Sequence, residues 1–340
     1  MKLQQVIDRT TGAGVALDLL IDIGENKGMV LERDGDRYRF VFHYERVHPA
    51  TADFLQHVIG KDNNAGLCEV YCLSNLFAHG IKSFNVDARV FESFEHYELN
   101  VYPEDYHQPF KTFVIDLPEE FCEKHRVKDA HGIVQTPQVA IFHYDKEFGS
   151  LHVVIALDNQ FHLTFHMDFN KPGMTLEQII VEHRGQKLSG MQLSEEESVL
   201  TEQVIRAGIN LCLMATNYGM RELGPANASH YTRTKERLDK AVRRKDRELA
   251  ETNRRALIKI PFCYGFTQST PLFRTIGYGE RGEGQGTGSH VTPHWRKGHW
   301  RRHRYGKGLT ETKVIAIPAV MVNADLVLGG EGATSAEYKG

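Results

Sequence analysis

The sequence predicts an α+β protein: a mostly antiparallel sheet in an N-terminal domain, then a long helical hairpin, then a small basic β module. Three observations carry this. Segments 138–144, 150–157 and 160–167 read as a compact set of strands, and short connections bearing Asp, Asn and Gly join them, as in antiparallel hairpins. A capping box at Ser194 and Glu197 opens the longest helical pattern of the chain. Charge is also unevenly spread. Residues 231–310 hold nineteen Lys/Arg against seven Asp/Glu, a net of +12, and the remainder holds twenty-two against thirty-seven, a net of −15. The expected organisation is an acidic α+β domain over 1–190, a helical hairpin with a basic second helix over 191–258, and a basic β module with a Gly-rich loop over 259–325. A polar tail over 326–340 is expected to be disordered.

Taken in order, 15–23 is an apolar run broken at 24–28, and 37–44 alternates as a strand with one buried face. Residues 51–59 read as a short helix. In 65–80, Leu67, Val70, Tyr71, Leu73, Leu76 and Phe77 fall at helical spacing, and Gly80 is a stop. Cys68 and Cys72 on that helix are expected to be small buried thiols rather than metal ligands. Strands are expected at 86–92, 96–102 and 112–117, then a turn or two of helix at 119–127. After the three hairpin strands, a capping box at Thr175 and Gln178 opens a helix that ends near His183.

His43, His143, His152, His162 and His166 lie on expected strands. Two histidines four apart on one strand, such as His162 and His166, are about 13 Å apart, too far to share a metal. They are expected to be surface or half-buried side chains. After the buried helix that follows Ser194, glycines at 219 and 224 break the chain, and a second helix is expected over 229–257. Its narrow apolar stripe (Tyr231, Leu238, Val242, Leu249, Ala256) has coiled-coil spacing, so self-association through it is a further expectation. Strand character resumes at 257–266. Residues 267–289 form a loop rich in Gly, Ser and Thr, and 313–322 is a strand pair or a strand bent at Pro318.

No apolar run approaches the roughly 20 residues needed to cross a membrane. The first residues do not read as a signal peptide. Five cysteines, odd in number and scattered among apolar residues, favour reduced thiols in a cytoplasmic setting. No cofactor or metal is called for.

The stretch 282–307 gathers both tryptophans of the chain, four of its eighteen histidines and a run of arginines. Folded as a hairpin about Lys297 and Gly298, it would place Trp295 and Trp300 on one face, and His294, Arg296, His299 and Arg301 on the other. That separation supports a nucleic-acid surface, with RNA favoured. Arg302, His303, Arg304 and Lys307, joined by Lys297 and by Arg243, Arg244 and Arg247 of the basic helix, would meet phosphates, while Trp295 and Trp300 would stack on bases. The alternative is a metal-independent endoribonuclease, toxin-like, with His294 and His299 exchanging protons and Arg296 and Arg301 stabilising charge on phosphorus. A third reading is a protein–protein scaffold in which the basic segment docks on the acidic domain. Zinc held by His290, His294, His299 and His303 is disfavoured, because the neighbouring cations repel a metal. The glycines at 282–288 are not a phosphate loop, since no Gly-Lys-Ser/Thr follows them.

Pro293, His294, Arg296, Gly298, His299, Arg301, Gly306 and Gly308 form a Pro-His-x-Arg-x-Gly-His-x-Arg run with a later Gly-x-Gly. In this the chain resembles the C-terminal end of a widespread set of uncharacterised bacterial, phage and plasmid proteins. The resemblance covers about forty residues. It implies that 290–323 is one module and implies no activity.

Overall fold

The computed structural model describes residues 15–34, 37–59, 64–128, 132–158, 162–184, 193–266, 273–276 and 294–322. Helix α1 (Val15–Glu25) leads into the hairpin β1 (Met29–Asp34) and β2 (Arg37–Phe42), then α2 (Pro49–Ile59) and α3 (Asn64–Ala78). Next come β3 (Lys82–Phe84), α4 (Ala88–Ser93), β4 (Tyr97–Glu98), β5 (Thr112–Asp116) and α5 (Glu119–Lys124). After a short pair, β6 (Val127–Lys128) and β7 (Val134–Gln135), come the three long strands β8 (Pro137–Asp145), β9 (Ser150–Leu157) and β10 (His162–Asp168). Helices α6 (Leu176–His183) and α7 (Glu195–Tyr218), strand β11 (Met220–Pro225) and helices α8 (Ala228–Arg243) and α9 (Arg247–Ile258) follow. The described chain closes with β12 (Phe262–Phe266), β13 (Phe273–Ile276), β14 (His294–Arg296), β15 (Gly298–Tyr305), β16 (Glu311–Ile317) and β17 (Ala319–Val322).

A mixed seven-stranded sheet in the order β10-β9-β8-β5-β3-β12-β11 is the frame. The pairs β10/β9, β9/β8 and β8/β5 are antiparallel, while β5/β3 and β3/β12 are parallel. Both faces are covered, so β9 reads as an unbroken buried run rather than an alternation. On one face α3 packs through Cys68, Cys72, Leu76 and Phe77 against Val114, Ile141 and Val154. On the other lies α7, whose capping boxes and those of α6 form as the sequence predicts: Thr175 accepts from the Gln178 amide, and Ser194 from that of Glu197. Helix α7 is buried from Val204 to Ala215. It approaches β8 so closely that the Phe142 ring occupies the place a side chain on Gly208 would take. That glycine is required by packing rather than by backbone angle.

Several expectations are corrected. Residues 88–93 form helix α4, not strand, and strand structure within 96–102 is confined to Tyr97–Glu98. The helix expected over 229–257 is two helices. Lys245 takes a left-handed φ of 56°, and Asp246 accepts from the Leu249 amide at 3.0 Å, capping a new helix where the heptad spacing suggested a continuous one. Of the two alternatives expected at 313–322, a strand pair or a bent strand, the pair is found, and its strands part at Pro318 into different sheets. Within the loop expected over 267–289, residues 273–276 instead form strand β13, parallel to β17, while the rest of it from 267 and the tail beyond 322 lie outside the described residues.

Of the strand histidines, His43 and His166 are half-buried as expected, whereas His143 and His152 correct the expectation. His143, His152 and His166 stand in register across β8, β9 and β10, on the face that α3 covers. His143 and His152 are fully buried. His143 Nδ1 lies 2.8 Å from the Thr112 hydroxyl. The Ser150 hydroxyl bridges His152 Nε2 (3.0 Å) and His166 Nε2 (2.6 Å), and Cys68 Sγ is 3.6 Å from His152 Nδ1. Burial holds the imidazoles neutral: it pushes His143 down to about 3 and His166 to about 4, and drives His152 well below its usual range.

Candidate functional site

The basic segment does not fold as a hairpin. Strand β14 pairs antiparallel with β17, His294 opposite Val322 and Arg296 opposite Val320. Strand β15 instead joins β16 and β4 in another three-stranded sheet. Lys297 is the hinge between the two sheets, and Trp295 and Trp300 are not opposed. The side chains of His294 and Trp295, and all of His290, lie outside the described residues.

Trp300 is a core residue, 1% exposed. Its indole Nε1–H donates to Asn210 Oδ1 at 2.7 Å, on the buried face of α7, and Asn210 in turn donates to the Arg206 carbonyl at 2.9 Å. The rings of Tyr97 and Tyr218 flank it, each centred 6.4 Å away. The Tyr218 hydroxyl accepts from the Ala316 amide, so α7 fastens both β15 and β16. A tryptophan so placed satisfies its one donor inside the protein and has no face left for a base.

The cations nearby divide. Arg302 donates from Nε to Asp105 (2.7 Å) and from Nη2 to Glu104 (2.9 Å), and its guanidinium lies 4.8 Å from the centre of the Tyr102 ring. The two carboxylates raise the Arg302 pKa further, Asp105 most. Lys297 pairs with Glu98 at 3.2 Å. Arg254 and Arg255 in α9 reach Glu25 and Asp18 of α1 (2.6 and 2.8 Å), and together hold Glu251 at about 2. By contrast Arg296, Arg301, Arg304 and Lys307 are exposed, as are Arg243, Arg244 and Arg247, while His299 and His303 are half-buried. Strand alternation puts His299, Arg301 and His303 on one face of β15 and Trp300, Arg302 and Arg304 on the other.

Arg302 grips a single turn of 3₁₀ helix, Pro103–Asp105, and a concavity lies on either side of that turn. One is a shallow groove of about 370 Å³ bounded by Asp105, Arg302, Arg304 and Lys313. The other is a cleft of about 650 Å³ whose lining includes Glu104, Tyr106, His107, Lys111, Tyr144 and Glu147. The sequence alone does not reveal this cleft, because its walls come from two stretches, 103–111 and 144–147, neither of which is distinctive by itself. Its floor is rigid. The Tyr106 ring sits edge-on to Tyr144 (5.1 Å) and Phe169 (5.3 Å), and its hydroxyl donates to Gln108 Oε1 at 2.8 Å. Burial raises the Tyr106 pKa well above the usual phenol range, so the hydroxyl stays protonated. Gln108 Nε2 donates to the carbonyls of Phe110 and Lys111, fixing the loop that forms the wall. Asp145 is occupied by the Tyr71 hydroxyl and the Glu147 amide. The exposed rim carries Lys111, Lys146 and Glu147.

Among the described residues no group of three or more His, Cys, Asp or Glu is arranged to hold a metal ion. No described helix is long and apolar enough to cross a membrane.

Comparisons with known proteins bear on the segment directly. A family model described as AcrVA2-like, the anti-CRISPR type V subtype A2 family, matches residues 84–324. Among solved structures the chain is similar to one titled "Crystal structure of AcrVA2", with 13% identity, 95% of this chain and 99% of that chain covered, and a TM-score of 0.48. Among curated proteins none matches. The family match overturns the reading of the chain as an RNA-favouring nucleic-acid-binding protein, and with it the endoribonuclease built on His294 and His299. The buried Trp300 and the paired Arg302 give the physical reason that residue types alone misled: both are used within the fold.

Proposed function

The chain belongs to the AcrVA2-like, anti-CRISPR type V subtype A2 family, and from that premise we propose that it blocks a type V CRISPR system by binding a protein component of it. The observation that carries the proposal is the extent of the family match. It runs from 84 to 324 and so takes in the cleft, the Arg302 clamp, the hairpin α8–α9 and the docked C-terminal strands together. The geometry favours binding over chemistry. The cleft presents an aromatic floor and a charged rim, which suit recognition of side chains on another protein. The turn that separates the two concavities is held by Arg302 through two carboxylates and an aromatic face, a degree of fixation that lowers the ordering cost of association.

The test is interference in cells. A strain carrying a type V CRISPR system that destroys a targeted plasmid is expected to keep that plasmid when this protein is expressed. A strain carrying an unrelated CRISPR type is expected to destroy it as before. Undiminished plasmid loss in the type V strain, with the protein present and folded, would refute the proposal.

A further inference from the structure

Helices α8 and α9 are built unlike the rest of the molecule. Of the sixteen residues of α8 only Thr234 and Ala241 are buried, and of the twelve of α9 only Asn253. The pair is anchored at its base, where Tyr231 meets the Phe262 ring and Arg254 and Arg255 reach Glu25 and Asp18. The other end, around the turn at 244–246, is held by the two helices packing on each other and by the Asp246 cap.

Two local rules are broken at that end, and at the same place. Residues 228–248 carry eight Lys/Arg against four Asp/Glu. Lys240, Arg243, Arg244, Lys245 and Arg247 are all exposed, and none has a carboxylate partner among the described residues. Arg247 opens α9, where the helix dipole disfavours a cation. Between these charges stand Val242 and Leu249, 60% and 44% exposed. Crowded cations repel one another, and aliphatic side chains in water gain nothing. Such conflicts are expected where a surface is kept for a partner.

We propose that this hairpin tip is a docking surface for an acidic protein face with an apolar centre. The proposal rests on the function proposed above and places that face on the type V protein component. An acidic face would neutralise the five cations, and an apolar centre would cover Val242 and Leu249. Nucleic acid would satisfy only the first of these needs. Residues 238–250 contain no aromatic side chain on which a base could stack. Two like-charged tips would repel each other, which disfavours a second copy.

The test uses the full chain and a purified, guide-free type V effector protein as probe. The Arg243→Glu/Arg244→Glu/Arg247→Glu variant is expected to bind about tenfold or more weakly and to lose the salt dependence of the wild type. Val242→Ser/Leu249→Ser is expected to dissociate faster with little change in association rate. Circular dichroism that matches the wild type shows that both variants are folded. If the wild type binds the effector and both variants bind equally well, this inference fails and the proposed function stands. If the wild type does not bind the effector, both fail. The tip is also not a protein-docking surface if the charge variant loses affinity only for guide-loaded effector and for free RNA. Nor is it one if the sole effect of that variant is to dissociate a dimer of this chain.

Discussion

Strand β15 and the hairpin α8–α9 are made of the same kinds of residue and have opposite fates. Around β15 the aromatic side chain goes into the core, Trp300 onto Asn210, and the cations with acids in reach are taken up by Glu98, Glu104 and Asp105. At the hairpin tip the apolar residues stay in water and the cations form no ion pair among the described residues. The difference is where each element lies. Strand β15 pairs with β4 and β16 and packs beside α7, so the chain's own carboxylates and cavities are in reach. The tip is about two turns of helix beyond the last anchored residues. A count of basic and aromatic residues therefore says little about binding until it is known which charges are already matched.

The largest expected effect on this contrast is at Trp300. Trp300→Ala is expected to cost about 3–5 kcal/mol, since it opens a core cavity and leaves the buried Asn210 oxygen without its donor. Urea denaturation measures it, and a loss below about 1 kcal/mol would mean that β15 is not held by that side chain. The histidine row comes next. Burial lowers the folded-state pKa of His143 to about 3 and of His166 to about 4, against about 6.5 unfolded, so below 6.5 the unfolded chain binds more protons. The stability these neutral imidazoles contribute is fully present above pH 6.5. It is lost as pH falls toward 4, by about 3 kcal/mol for each imidazole over that window. Unfolding curves from pH 7 to pH 4 that superimpose would contradict the buried, neutral row.

Gly208→Ala is expected to cost about 1–3 kcal/mol through collision with the Phe142 ring, although alanine is the better helix former. Thermal unfolding at neutral pH reads it directly, and a rise in Tm would show that the helix is not pressed against β8. Arg302→Ala is smaller. The guanidinium is 38% exposed, so the pair with Asp105 and Glu104 contributes no more than about 1 kcal/mol. High salt should erase most of the difference between variant and wild type. The smallest effect on stability is at the tip, where Arg243→Glu/Arg244→Glu/Arg247→Glu should change folding by less than about 0.5 kcal/mol. Stability and binding thus rank the two regions in opposite order.

Much of the frame was legible in the sequence. The three hairpin strands, both capping boxes and the buried α7 follow from period and cap chemistry alone, because those signals are local. The α8–α9 break is hidden, since the apolar spacing of Val242 and Leu249 persists across the turn. The one cue is Asp246 three residues before Leu249, a cap signal inside an apparent helix. The role of Trp300 was not legible either. Its partner, Asn210, is 90 residues away and looks like any polar residue on a helix. The histidine row was hidden for a related reason: spacing along one strand argues against a cluster, whereas pairing across three strands creates one. The cleft is a tertiary product of a 3₁₀ turn, a loop and the end of β8.

What matters most is whether this member of the family meets its target as protein. The most direct measurement is co-elution of the full chain with a nuclease-treated, guide-free type V effector on size exclusion. A complex that survives nuclease treatment, and that Trp300→Phe retains so long as it stays folded, is the predicted result. Co-elution that requires RNA would contradict it.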